Sequence, residues 1–156
     1  MFSAASAALE YLFKISKTDN VLILTDTNSV AIADAFEKAS IRNGCPVDFY
    51  KIENDQRPLQ EIPAGLEKLL PGKTIVLNII KAYPEEIAFR IKWIFKVEEN
   101  KQIKMGHMPG ITEEMMMNSV NVDFRGMKMA ADRLIETLEN AAQLHITTIA
   151  GTDILM

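Results

Sequence analysis

Three polar segments in this 156-residue chain carry side chains that could do chemistry, and each follows a run that reads as a β-strand. Thr25, Asn28 and Ser29 follow "NVLIL" and open a helical stretch, whose free N–H groups could receive an anion. Asn78, Lys81 and Tyr83 follow "KTIVL". In "GHMPGITEEMM" (106–116), Gly106 and Gly110 bracket His107, Met108 and Pro109, a combination that favours a defined turn. In an open parallel sheet these strand ends share one rim, where ligands bind near a change of strand direction. A small polar or anionic ligand at Thr25, Asn28, Asn78, Gly106, His107 and Gly110 is the binding site this pattern suggests. Thr25–Ser29 has no glycine pattern, so a dinucleotide or P-loop phosphate cradle is not supported, and its plain role is that of a helix N-cap loop.

Hydrolytic and metal chemistry find less support. The two histidines, His107 and His145, and the one cysteine, Cys45, lie in separate segments. Zinc needs at least three protein ligands, and no second His, Cys or carboxylate stands at ligand spacing from His107. There is neither a G-x-S-x-G elbow nor an H-E-x-x-H helix. Glu85-Glu86, Glu98-Glu99 and Glu113-Glu114 are adjacent pairs on helices, where neighbours diverge by about 100°, so they read as solvated. No catalytic residue and no metal ligand is assigned.

The elements that would position these residues alternate. "NVLILTD" (20–26) and "KTIVLNII" (73–80) are continuous apolar runs, the pattern of parallel strands buried on both faces. "PVDFYKI" (46–52) and "KQIKMGHM" (101–108) read as further strands. A first helix within 1–14, a helix over 27–44 stopped by Gly44, a short helix near 64–70, one from Pro84 to about 100, a short Thr112-capped helix, and a long amphipathic helix over 123–141 lie between or after them. "QLHITTIA" alternates and reads as a half-exposed last strand, followed by a turn at 150–153. Together these predict a single α/β domain over 1–156: three layers, a mostly parallel five-stranded sheet with helices on both faces, Rossmann- or flavodoxin-like, its last strand at an edge.

Composition agrees with a globular protein. Apolar residues make up 48% and charged residues 24%, no apolar run approaches the roughly 18 residues of a membrane span, and no basic leader precedes the first helix. A cytoplasmic location without membrane insertion is expected. The formal charge of −4 and the scattered lysines and arginines argue against nucleic acid as a partner. Cys45 reads as a buried apolar residue, and the nine methionines, three of them at 115–117, as core or domain-surface fillers.

The order Pro109-Gly110-Ile111-Thr112, Met115 to Met117, Asp123-Phe124 and Gly151-Thr152-Asp153-Ile154 resembles the amino-terminal domain of the aminopeptidase T-like thermophilic metallopeptidases, including the leucyl aminopeptidase-related proteins. The resemblance covers about the last third of the chain. It implies a non-catalytic amino-terminal domain of a longer metal-dependent exopeptidase, or a short protein of the same build. The divalent metal of such relatives (zinc, cobalt or manganese) and their metal-binding residues would lie in a later catalytic domain, leaving only scaffold motifs in these residues. A missing catalytic domain or a peptide substrate would then be partners. The other readings are a stand-alone small-molecule binding module and a dimerisation domain, the latter a homodimer formed through the edge strand at 143–149 or the Met-rich helix.

Overall fold

A computed structural model describes residues 1–156, which divide into two compact units, Met1–Val122 and Asp123–Met156. In the first, β1 (Val21–Asp26), β2 (Val47–Ile52), β3 (Ile75–Ile79) and β4 (Lys104–His107) form one parallel sheet in the order β2-β1-β3-β4. Every residue of β1 and of β3 is buried, as continuous apolar runs at the centre of a sheet require.

Alternation along these strands feeds two cores. Val21, Ile23, Ile75 and Leu77 point to one face, where α1 (Phe2–Tyr11) supplies Ala4, Ala5, Ala8 and Leu9 and α2 (Val30–Arg42) supplies Ile32, Ala33 and Phe36. Leu22, Leu24 and Val76 point to the other, against Leu66 of α3 (Ala64–Glu67) and Phe89, Trp93 and Val97 of α4 (Ile87–Glu98). Gly44, at φ +80°, takes the left-handed conformation that stops α2 and lets the chain turn into β2. Cys45 is buried, its thiol donating to the Ser16 carbonyl oxygen.

The lone buried acid of the β1 entry is well satisfied. Burial works to raise the Asp19 carboxyl, but hydrogen bonds from the Thr74 hydroxyl and the Ser16 N–H, together with the charge of Lys104, outweigh it and hold the group below its ordinary value.

α5 (Glu113–Asn118) closes the first unit, with Thr112 Oγ1 accepting from the Met115 N–H at 3.1 Å. Of the three consecutive methionines only Met116 is buried; Met115 and Met117 are about half exposed.

The second unit holds α6 (Phe124–Leu138) and a two-stranded antiparallel hairpin, β5 (His145–Thr147) and β6 (Asp153–Leu155). Asp123 caps α6 through the Gly126 N–H at 2.9 Å. Gly151, at φ +100°, makes the turn. His145 Nε2 lies 2.7 Å from Asp153 Oδ1 across the strands. No residue of α6, β5 or β6 is buried.

The five-stranded Rossmann- or flavodoxin-like sheet is therefore corrected to four parallel strands plus a separate hairpin. The 143–149 segment is no edge strand of the main sheet: His145–Thr147 pairs with Asp153–Leu155 instead. Alternation reports that one face of a strand is wetter than the other and says nothing about its partner. Here the short turn after Thr148 brings the following residues back alongside, which is the geometry of an antiparallel pair, whereas a parallel partner needs a long crossover. No helix is long and apolar enough to cross a membrane.

Candidate functional site

The order β2-β1-β3-β4 reverses direction between β1 and β3, so the crevice beyond their carboxyl ends is where a ligand of an open α/β sheet ordinarily sits. In this protein it holds the side chain of Arg57. Its guanidinium pairs with Asp26, at the end of β1, and with both carboxylate oxygens of Glu86, in the 3-10 turn Pro84–Glu86 that leads into α4. It also donates to the Lys81 carbonyl oxygen at 2.8 Å, and the Tyr83 ring covers it at 4.1 Å from the centroid. The side chains are 3% (Arg57), 0% (Asp26) and 0% (Glu86) exposed.

Two carboxylates against one guanidinium would leave an excess negative charge in a dry site. Backbone donors supply the balance: Asp26 accepts from the N–H groups of Lys81 (2.6 Å) and Asn28 (3.0 Å), and Glu86 from that of Leu59 (2.9 Å). Burial by itself would lower the Arg57 pKa, but the bonds to Glu86 and the charges of Glu86 and Asp26 raise it above its ordinary value, so it is a fixed cation. The cluster ties together the end of β1, the segment after β2, the end of β3 and the start of α4.

Around this plug the six residues singled out from sequence are distributed, not gathered. Asn78 and His107 are register partners on β3 and β4 and touch: the Asn78 amide nitrogen is 3.1 Å from His107 Nδ1, and its oxygen accepts the Trp93 indole N–H at 2.9 Å. Thr25 lies buried on β1, one residue past the partner of Asn78, so its side chain points to the opposite face of the sheet. Gly106 faces that same opposite side, where an added Cβ would stand 2.7 Å from the Phe13 ring. Asn28 sits in the exposed loop after β1, and Gly110, at φ +76°, ties the loop after β4 to the end of β3 through its N–H to the Ile80 carbonyl oxygen. Thr25 and Gly106 line different cavities.

His107 is the one titratable group of this set. Loss of solvent lowers its pKa, and the nearby charge of Arg90 lowers it further, so the ring is a neutral hydrogen-bonding partner for Asn78 at neutral pH. No group of three or more His, Cys, Asp or Glu side chains is placed to hold a metal ion. Arg57 and Glu86 escaped the sequence reading. Glu86 is moreover corrected: it belongs to no solvated helical pair, because the 3-10 turn aims it inward while Glu85 remains outside.

No family model matches the chain, and no curated protein matches it. Among solved structures it is similar to the 2,5-dihydroxypyridine dioxygenase from Pseudomonas putida KT2440, at 15% identity and a TM-score of 0.56, over 99% of this chain and 46% of that one. The chain thus spans a little under half the length of that protein, and at this identity the likeness concerns the fold alone. The resemblance to aminopeptidase T-like metallopeptidases is overturned: no family or curated match supports it, and the similar structure is described as a dioxygenase. The residues that carried the resemblance have local duties common to many folds. Thr112 and Asp123 cap helices, while Gly110 and Gly151 make left-handed turns.

Two outcomes follow from the cluster and from His107. Replacing Arg57 by methionine strands two buried carboxylates and should cost about 3–5 kcal/mol in urea unfolding; a loss below about 1 kcal/mol would mean that water reaches the cluster. Because His107 takes up its proton less readily folded than unfolded, the unfolded chain binds more protons as pH falls through and below the ordinary value of 6.5, and stability should decline there. Asp19, with its depressed carboxyl, adds its own loss only below 3.8. Between pH 7.5 and 5.5 a His107→Asn protein should therefore lose less stability than the parent; equal losses would locate the effect elsewhere.

Proposed function

We propose that this chain is an α/β association module with no catalytic role of its own, and that it self-associates by antiparallel pairing of α6 with α6 of a second copy. The observation that carries this reading is the exposure of the apolar face of α6: Met127, Leu134 and Ile135 are 59%, 59% and 54% exposed, and nothing in the helix is buried. Met127, Ala131, Leu134 and Leu138 follow one another at spacings of four, three and four, the seam of a helix that packs lengthwise on another helix.

The charges select the partner and its direction. Arg125 lies in the amino-terminal half, with Lys128 paired to Asp132 one turn on, and Glu136 and Glu139 lie at the carboxyl-terminal end, the reverse of what the dipole of an isolated helix favours. In an antiparallel two-fold pair the basic half of each copy lies beside the acidic end of the other, and the two dipoles oppose. A second copy of the same helix is therefore complementary in both charge and apolar pattern. Exposed Ile146, Ile154 and Leu155 of the hairpin extend the apolar surface available in this unit. A cytoplasmic setting is part of the proposal, supported by the single, unpaired Cys45.

Sedimentation equilibrium tests it. The parent chain should dimerise, and Leu134→Glu should weaken the dimer about tenfold or more. Replacing Glu136 and Glu139 by lysine should also weaken it, while helicity by circular dichroism holds or rises because the charges then suit the dipole. A parent chain that remains monomeric at high concentration, or a dimer indifferent to both changes, would refute the proposal.

A further inference from the structure

The outer side of β4 carries no further strand, and we propose that it binds an extended peptide segment of another protein as a fifth strand, with an apolar side chain of that segment seated in the cavity beside it. The N–H groups of Lys104 and Met108 donate inward to the Thr74 and Asn78 carbonyl oxygens, at 2.8 and 2.9 Å. By the alternation of a parallel ladder, those of Met105 and His107 point outward, where β4 pairs with no strand.

The two edges of the sheet are treated differently. On β2, Asp48 and Lys51 carry charge along the strand and are engaged with Lys73 and Glu53, the usual guard against strand addition. On β4 the one cationic guard is drawn aside: Lys104 Nζ donates to the Phe13 carbonyl oxygen at 2.7 Å and lies 3.4 Å from Asp19. Gly106 beside it has no side chain to obstruct an incoming strand, and the Phe13 ring fills the space a Cβ would need.

Next to this edge, on the α1 side, is a cavity of about 550 Å³ lined by Ala8, Leu12, Phe13, Gly106, Met108 and Val120, among others. Unpaired peptide groups along a strand are matched in spacing by the peptide groups of another strand, and an apolar hollow alongside them takes alternate apolar side chains, which is how strand-adding domains gain affinity and selectivity. Two-fold pairing of β4 with itself would set four residues against four and leave the hollow unfilled. The occupant that satisfies both features is an extended segment with an apolar residue at alternate positions.

A displayed library of random octapeptides, selected on the intact chain, provides the probe. Enriched sequences should share an apolar residue at alternate positions and carry no central proline, and a synthetic peptide of the enriched sequence should slow hydrogen exchange at the Met105 and His107 amides. Met105→Pro removes an outward donor and leaves the bonds to β3 in place, so binding should fall about tenfold. Hydrogen exchange on the parent chain decides the matter even if that variant folds poorly. Failure to enrich any peptide, enriched peptides that leave both amides unprotected, or amides already protected in the free chain through pairing with a second copy would each overturn the proposal.

Discussion

The buried contact of Arg57 with Asp26 and Glu86 fixes the character of this protein. It sits where an open parallel sheet ordinarily keeps its ligand, and it joins four parts of the chain that are distant in sequence. Charges so fully removed from water are costly to bury and are tolerated only when each oxygen and each N–H has a partner. Here the Lys81, Asn28 and Leu59 N–H groups and the Lys81 carbonyl add hydrogen bonds to the two ion pairs. The result is a rim closed by the protein's own side chains, with Tyr83 laid over the guanidinium.

With the crevice filled from within, the unsatisfied features lie on the outside. The two cores of the first unit are close to self-sufficient in polar terms: among buried side-chain polar atoms only the Ser6 hydroxyl lacks a partner. The second unit is the opposite case. Its helix is capped and amphipathic but buries nothing, and its hairpin strands are exposed throughout. Since the stability of a short helix comes mainly from packing of its apolar face, such a unit gains most when a partner covers it.

What was legible in the sequence follows from how local each signal is. The central strands β1 and β3 announce themselves because burial on both faces demands an unbroken apolar run, and the cap at Thr112 because a helix start needs a short polar side chain next to free N–H groups; Asp123, read as part of the long helix, caps it instead. The ion cluster was hidden because residues 26, 57 and 86 share no spacing that any helix or strand period would reveal, and because Glu86 looks like half of a surface pair until the turn directs it inward. Asn78 and His107 meet at the ends of adjacent strands, and the same alternation that puts them together sends Thr25 and Gly106 to the other face. The fifth strand was misplaced because period-two alternation identifies a strand without naming its neighbour.

Spin-label distances across α6 test the central claim most directly. Single labels placed in turn at residues 125, 132 and 139 report the separation of equivalent positions in a dimer. With a rise of about 1.5 Å per residue, antiparallel pairing centred between Ala131 and Leu134 predicts the shortest separation at 132 and an axial offset of about 20 Å at both 125 and 139. Three equal, short distances would mean parallel pairing, and the absence of any intermolecular distance would mean that α6 does not join two copies; either result would contradict the proposed association.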